Sequence, residues 1–220
     1  MSLKLYYHPL SSFCMKVLIP LYENGTPFER EIVDLMDPVS SAKFKAMWPI
    51  GKFPVLRDEA RNHLVPESSI IIEYLDQHYP GRVRFLPADA EKARLTRSRD
   101  RFFDLHLHVP LQKFVTDALR PAGSNDPFGV EQARSLIHTA LDMIEKDLAG
   151  KTWIMGGEFT LADCSAAPPL FYANMARLLG DTHTLTKRYL DRLTERPSFA
   201  RVIKEAQPYF AMFPGNRAAS

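Results

Sequence analysis

Hydroxyl and thiol side chains stand next to each other in the segment Ser11-Ser12-Phe13-Cys14. The aromatic and aliphatic residues before it predict a strand that ends at Pro9, and the apolar spacing after it predicts a helix. At such a helix N-terminus, free backbone N–H groups and the positive end of the helix dipole stabilise an anion, including a thiolate. A serine hydroxyl can add one hydrogen bond. The alternative is that Ser11 or Ser12 only caps the helix.

A second candidate anion site is the pair Glu67-Ser68, at the start of a helix predicted over residues 67–79. A serine hydroxyl together with the free N–H groups of the first helical turn forms a pocket for a carboxylate. A capping serine beside a favourable first-turn glutamate has the same sequence, so both interpretations stay open.

Composition excludes several classes of function. The formal net charge is +2, which gives no electrostatic footprint for nucleic acid or an anionic membrane. We expect neither as a partner, and we expect the arginines of residues 94–101, interspersed with Asp100 and preceding Asp104, to form a solvated or paired helix face. Without a membrane span or a signal-peptide core, the protein is expected in the cytoplasm.

Two cysteines, Cys14 and Cys164, are too few for a disulfide-stapled secreted domain, so both are expected as reduced thiols. Cys14 falls inside a predicted apolar helix. We therefore expect it to be buried and inert.

The elements that must position these residues follow the order βαβαββα over the first 80 residues. Predicted strands lie at residues 3–8, 28–35, 53–56 and 63–65, with helices at 12–24, 40–47 and 67–79. A segment with two prolines and a glycine follows, and every later element reads as a helix. These helices are predicted at residues 90–119 with an interruption at Pro110, and at 127–148, 161–179, 184–194 and 198–206. Asp126 and Pro127 supply the start of the second of them.

This pattern resembles the cytosolic glutathione transferase family along nearly the whole chain. The resemblance implies an α/β thioredoxin-like domain over residues 1–80, a linker over 81–88 and an all-α helical domain over 89–220. Residues 159–163 resemble the family's capping box, with Thr160 and Asp163 as its two members. Residues 196–199 also resemble a common sequence of the family, and Ser198 within them is expected to cap the last helix.

The resemblance also assigns roles around a bound glutathione. Ser11 occupies the first position of the Cys-x-x-Cys motif of related glutaredoxins, which is a serine in serine-type transferases, and it is the expected catalytic residue. Pro54, in the stretch 51–56, matches a cis-proline, and Phe53 before it offers its backbone N–H and C=O to the cysteinyl backbone of glutathione. Lys52 is expected to meet the glycine carboxylate, and Glu67 and Ser68 the γ-glutamyl end.

Some residues depart from the pattern or compete with these assignments. Trp48 stands where many relatives have asparagine, which leaves the geometry at the glycine end of the ligand open. Tyr6 and Tyr7 are alternative catalysts, because some classes use a tyrosine near the end of the first strand. His106 and His108 lack the spacing of a zinc site and are expected on the helix surface or in a pocket wall.

The activity implied is a glutathione S-transferase that activates the glutathione thiolate for attack on a hydrophobic electrophile, as in detoxification. Glutathione is the co-substrate, no metal is expected, and the resemblance implies a homodimer. The alternatives are a glutathione-dependent thiol oxidoreductase or peroxidase and a non-catalytic binding protein of the same fold. The electrophile pocket is expected to use aromatic side chains of the helical region: Phe102, Phe103, Tyr209, Phe210 and Phe213.

Overall fold

The computed structural model describes residues 2–213 and confirms the predicted fold class. A four-stranded α/β unit comes first, and a helical region follows it. The strands are β1 (Leu3–Tyr7), β2 (Glu29–Ile32), β3 (Val55–Asp58) and β4 (His63–Pro66). The helices are α1 (Ser12–Glu23), α2 (Pro38–Met47), α3 (Ser68–His78), α4 (Ala90–Phe102), α5 (Val109–Ala118), α6 (Pro127–Asp147), α7 (Leu161–Met175), α8 (Thr184–Glu195) and α9 (Pro197–Ala206).

The sheet has the strand order β2-β1-β3-β4. Strands β1 and β2 are parallel and are joined through α1, whereas β3 pairs antiparallel with both β1 and β4. Tyr6 lies opposite Val55, and Val55 lies opposite Pro66. The C-terminal ends of β1 and β4 and the N-terminal end of β3 therefore share one edge of the sheet.

Helix α1 is the most deeply buried element of the α/β unit. Its residues from Cys14 to Leu21 are all buried, and the helix packs against α3 on one side and against α7 and α9 on the other. A helix with apolar side chains on nearly all of its faces keeps them away from water only when other elements enclose it. The helical region supplies that enclosure, so the core of the α/β unit is continuous with that of the helices.

The interruption predicted at Pro110 lies elsewhere. The helix continues through Pro110, and the distortion is a π-helical turn immediately upstream, Phe103–His108. Proline has no N–H to donate to the carbonyl four residues before it. The π-helical turn shifts the hydrogen-bond pattern before that point, and the N–H of Val109 bonds to the carbonyl of Asp104, five residues back.

The predicted starts of α6 and α7 agree with the structure, whereas that of α9 differs. Asp126 caps α6 by accepting from the N–H of Gly129 at 2.9 Å. Thr160 and Asp163 form the predicted capping box of α7. The prediction that Ser198 caps α9 was wrong, because Arg196 holds the N-cap position and Pro197 begins the helix. The hydroxyl of Ser198 is instead buried without a hydrogen-bond partner among residues 2–213.

Between α3 and α4 the chain runs without a helix or strand from Tyr79 to Asp89. The division into residues 1–80, 81–88 and 89–220 remains a prediction. In the described part of the chain, residues 2–213, no helix is both long and apolar enough to cross a membrane.

Candidate functional site

The register of the sheet brings three predicted segments to the same edge. Ser11 follows β1, Pro54 immediately precedes β3, and Glu67 immediately follows β4. Because Tyr6, Val55 and Pro66 are aligned across these strands, the three segments lie side by side although they are far apart in sequence. The sequence motifs alone did not establish this alignment.

Ser11 occupies the N-cap position of α1. Its Oγ accepts a hydrogen bond from the backbone N–H of Cys14 at 3.3 Å, while its own backbone N–H donates to the carbonyl of His8 at 3.0 Å. Capping uses a lone pair of the hydroxyl oxygen and leaves its proton free to donate. The structural role and the proposed chemical role of Ser11 are therefore compatible.

Both cysteines are free and buried, as predicted for Cys14. Burial raises the pKa of the Cys14 thiol to about 12, which keeps it protonated at neutral pH. Burial likewise raises the pKa of Cys164 far above its ordinary value. Neither thiol is suited to act as a nucleophile.

The Phe53-Pro54 peptide bond is cis, as the resemblance implied. Within residues 2–213, the backbone N–H and C=O of Phe53 have no hydrogen-bond partner. They are free to pair with an extended ligand in the manner of a neighbouring strand. Lys52 is exposed beside them and makes no ion pair with the described residues.

Glu67 holds the N-cap position of α3 in an unusual backbone conformation, with φ 68° and ψ 120°. A residue with a Cβ pays steric strain there, and such strain is concentrated at ligand sites. The Glu67 side chain makes no capping hydrogen bond. Ser68 is the first residue of α3 and is buried, so the alternative that Ser68 is the N-cap residue was wrong.

A cavity of about 400 Å³ opens between the start of α3 and α4. Glu67 and Ser68 line it together with Phe13 from the first turn of α1. Ile70 of α3 also lines it, and the other wall carries charged groups from α4 and the π-helical turn, including Arg97, with the apolar residues Leu105 and Val109. The candidate site for the γ-glutamyl end is therefore a real recess with both polar and apolar walls.

Behind this cavity lies a buried ionic cluster that the sequence analysis missed. The ammonium of Lys16 is fully buried, 2.6 Å from Asp100 and 2.9 Å from both carboxylate oxygens of Asp104. It also donates to the hydroxyl of Ser69 at 2.9 Å, and Ser165 of α7 donates to Asp100. The sequence does contain a sign of this cluster, because Lys16 is the one charged residue between Ser11 and Tyr22, in a helix predicted to be apolar.

The cluster corrects the interpretation of residues 94–104. The arginines there are paired as predicted, with ion pairs from Arg94 to Glu91, Arg97 to Glu73, Arg99 to Asp147 and Arg101 to Asp104. Asp100 and Asp104, however, are buried. Burial acts to raise the pKa of Asp104, but His108 and Lys16 outweigh it and hold that pKa below its ordinary value.

The two histidines differ. His106 is exposed, as predicted, whereas His108 is fully buried with both ring nitrogens lacking a hydrogen-bond partner among the described residues. Its ring stacks on Phe13 with centroids 4.2 Å apart, and Nδ1 lies 3.6 Å from Asp104. Burial lowers the pKa of His108, which favours the neutral ring. No group of three or more metal-ligating side chains occurs within residues 2–213.

The alternative catalysts Tyr6 and Tyr7 point to opposite faces of β1. Tyr7 is buried in the core, and burial raises its pKa, which makes its hydroxyl a poorer acid. Tyr6 packs against Phe44 with ring centroids 6.2 Å apart. Trp48 ends α2 as its C-cap residue.

The predicted pocket walls are only partly accessible. Phe103 is completely buried and cannot line a pocket, so that expectation was wrong. Phe102, Tyr209, Phe210 and Phe213 are partly exposed. Tyr209 meets the ring of His8 edge-on at 5.4 Å, and Phe213 packs on Tyr172, whose hydroxyl donates to the carbonyl of Leu10 at 2.7 Å.

Comparison with known proteins agrees with this architecture. The model of the glutathione S-transferase N-terminal domain matches residues 5–83, and that of the C-terminal domain matches residues 127–205. Glutathione S-transferase 3 of Zea mays is 31% identical over 211 residues, which cover 91% of this chain and 93% of the maize protein. A stringent starvation protein A homolog of Histophilus somni is 26% identical over 206 residues, covering 93% and 91%.

A solved structure extends the agreement to three dimensions. The crystal structure of a glutathione S-transferase from Methylobacillus flagellatus with glutathione bound is 25% identical and superposes with a TM-score of 0.82, covering 91% of this chain and 98% of that one. Sequence, domain models and backbone thus agree over both the sheet and the helices. The chain belongs to the glutathione S-transferase family.

Proposed function

We propose that the protein binds glutathione along the sheet edge described above and joins the glutathione sulfur to a hydrophobic electrophile. One observation carries the proposal: Ser11, the cis Phe53-Pro54 bond and the Glu67-Ser68 pair end up on the same edge through the register of β1, β3 and β4. The glutathione bound to the Methylobacillus flagellatus relative supports the choice of ligand.

Each segment contacts a different part of the tripeptide. The free backbone groups of Phe53 pair with the cysteinyl residue, and the exposed ammonium of Lys52 meets the glycine carboxylate as a point charge. The γ-glutamyl end enters the cavity beside Glu67 and Ser68. There the hydroxyl of Ser68 and the free N–H groups of α3 bind its carboxylate, and Glu67 faces its ammonium.

This arrangement directs the cysteinyl sulfur toward the N-terminus of α1. The Ser11 hydroxyl donates to the thiolate, and the helix dipole adds favourable charge. The reaction needs both because a free thiol with a pKa near 8.5 is only a few per cent ionised at pH 7. The protein is thereby a serine-type transferase.

Of the alternatives, redox chemistry has the weaker support. Disulfide exchange of the glutaredoxin type needs an ionisable cysteine near the glutathione sulfur, and both Cys14 and Cys164 are buried with raised pKa values. A non-catalytic binding role keeps one supporting observation, the similarity to a stringent starvation protein A homolog. A non-catalytic role predicts that the protein turns over no electrophile, whether or not it binds glutathione.

Glutathione should stabilise the native protein and raise its melting temperature progressively with concentration, because only the folded state holds the site.

Ser68→Ala should weaken glutathione binding by about 1–3 kcal/mol through the loss of a hydrogen bond to a charged carboxylate. Titration calorimetry measures the affinity, with Ser98→Ala on the exposed face of α4 as the control. Absence of binding at millimolar glutathione would count against the whole site.

Glu67→Gly should raise stability and lower glutathione affinity at once. Glycine removes a backbone strain of about 1–3 kcal/mol at φ 68°, partly offset by its larger chain entropy. The same change deletes the carboxylate that faces the ligand's ammonium. Asn62→Gly is the matched control, since Asn62 also has a positive φ, 49°, but lies in the β3–β4 turn at the opposite edge of the sheet. It should leave the affinity unchanged.

We further propose that the protein is a cytoplasmic homodimer that detoxifies electrophiles. Ile70, Leu105 and Val109 are about half exposed around the α3–α4 cavity, an apolar surface that a second copy would cover. Light scattering should give twice the mass of the chain, and Leu105→Asp should shift the mass toward the monomer. A wild-type monomer at micromolar concentration would contradict the dimer.

A further inference from the structure

His8 is a titratable residue in contact with Ser11 and Phe53 that the function above does not use. It lies in the loop between β1 and α1, and its carbonyl accepts the backbone N–H of Ser11 at 3.0 Å. One side of its ring is stacked on Phe53, with centroids 6.1 Å apart and planes inclined by 22°. The ring of Tyr209 lies 5.4 Å away and is steeply inclined to the imidazole. The imidazole therefore contacts both Phe53 of the proposed glutathione site and Tyr209 of the helical region.

One ring nitrogen is already committed. Nδ1 of His8 accepts a hydrogen bond from the backbone N–H of Leu10 at 3.2 Å, which requires a lone pair on Nδ1. In the neutral ring the proton must then reside on Nε2. Within residues 2–213, Nε2 has no protein partner, yet it is not among the buried polar atoms without a bond, so it is accessible to solvent and free to donate to a bound molecule.

The environment keeps this ring neutral. Burial lowers the pKa of His8, and the carboxylate of Asp34 opposes that effect only in part. The loop itself is fixed, because Tyr172 of α7 donates to the carbonyl of Leu10 at 2.7 Å. His8 thus presents one rigidly oriented, neutral N–H donor at neutral pH.

We propose that the Nε2–H of His8 binds the carbonyl oxygen of an α,β-unsaturated carbonyl substrate and makes this protein selective for electrophiles in which negative charge develops on oxygen. The inference rests on the proposed glutathione transfer. Preorganised donors aimed at a developing oxyanion are among the strongest catalytic devices of proteins.

The step balances without a further reactant. A lone pair of the glutathione thiolate forms a bond to the β-carbon, the carbon–carbon π pair shifts toward the carbonyl carbon, and the carbonyl π pair moves onto oxygen as an enolate. The His8 N–H donates to that enolate oxygen. A proton from water then adds to the α-carbon, the carbonyl is restored, and no group leaves. Displacement on an alkyl halide differs, because its charge leaves with the halide.

The test compares 3-nonen-2-one with benzyl bromide as the electrophile, each at saturating glutathione. His8→Phe keeps a ring between Phe53 and Tyr209 but removes the donor, and it should lower kcat/KM for the enone relative to the bromide by at least about 10-fold. His8→Gln supplies both an acceptor for Leu10 and a neutral N–H donor. It should restore the ratio to within about threefold of wild type.

The outcomes separate this inference from the proposed function. If the wild type converts the bromide and His8→Phe leaves the enone-to-bromide ratio unchanged, the role of His8 is wrong and the transferase activity stands. Equal losses on both electrophiles in His8→Phe and His8→Gln would show a packing role and overturn the proposal. If the wild type binds glutathione but converts neither electrophile, both proposals fail together.

Discussion

Ser11→Ala is expected to slow conjugation at pH 7 by roughly 10-fold to 100-fold. A hydrogen bond to a charged group contributes about 1.5–3 kcal/mol, and about 1.4 kcal/mol corresponds to one pKa unit. Losing the hydroxyl should therefore raise the pKa of enzyme-bound glutathione by about 1–2. The pH–rate profile should shift to higher pH, and the rates should converge above the new pKa. Glutathione affinity, measured below the thiol pKa, should change little.

The controls for this prediction use the capping role of Ser11. Because its Oγ accepts from the N–H of Cys14, alanine also removes a helix cap, at about 0.5–2 kcal/mol of stability. Ser11→Asp keeps a capping acceptor but has no hydrogen to donate to the thiolate at neutral pH, so it should remain slow although stable. Ser11→Thr keeps both, and Ser12→Ala should behave as wild type. Equal rates in wild type and Ser11→Ala would send the search to Tyr6, Tyr7 or Ser12.

Two further variants, Ser11→Cys and Cys14→Ser, distinguish the transferase from the redox alternative. A hydroxyl cannot form a disulfide with glutathione, whereas a thiol can, so Ser11→Cys should gain disulfide exchange and lose conjugation. Cys14→Ser should change neither activity, because the Cys14 thiol is buried. Strong disulfide reduction by the wild type that disappears in Cys14→Ser would establish the oxidoreductase.

Lys16→Met is expected to cost about 3–5 kcal/mol of unfolding free energy, the largest stability effect that the structure predicts. Methionine has nearly the same length, but it leaves Asp100 and Asp104 buried without the ammonium that neutralises them. Denaturant unfolding at pH 7 measures the loss. The matched control is Lys43→Met, which breaks an exposed pair with Glu31 and should cost less than about 1 kcal/mol.

The pH dependence of this loss has a definite sign. The pKa of Asp104 is depressed in the folded state, so its contribution is present above the ordinary carboxyl pKa and is lost as pH falls through the lower folded value. Removing Lys16 removes that advantage, and the difference between wild type and Lys16→Met should shrink as the solution is acidified below about pH 4. A difference that stays constant to pH 2 would contradict the assignment.

Most of the architecture was predictable because short-range patterns encode it. Apolar periodicity and turn residues located each strand and helix, and Asp126 and Thr160 marked helix starts through capping chemistry that involves only neighbouring residues. Ser198 was misassigned because Pro197 occupies the first helical position, which makes Arg196 the N-cap residue. Helix boundaries depend on one residue's backbone angles, and sequence patterns fix them less well.

The parts that could not be predicted depend on contacts distant in sequence. Asp100 and Asp104 stand among arginines and look like surface residues, but their burial depends on a lysine 84 and 88 residues earlier, in another unit of the fold. Likewise, no sequence motif marks His8 as a site residue, and only the structure shows its ring in contact with Phe53 and Tyr209. The family pattern named the candidate ligand residues, whose roles remain predictions, but it did not name the residues that pack around them.

The burial of Lys16 bears on what counts as a folding unit in this protein. A fragment that ended near residue 80 would keep the lysine and lose both of its carboxylates, and it would uncover the faces of α1 that α7 and α9 enclose. An uncompensated charge inside an apolar helix is severely unfavourable. We therefore expect that the stretch that sequence comparison delimits as a domain, residues 5–83, does not fold by itself, and that the α/β unit and the helical region unfold together.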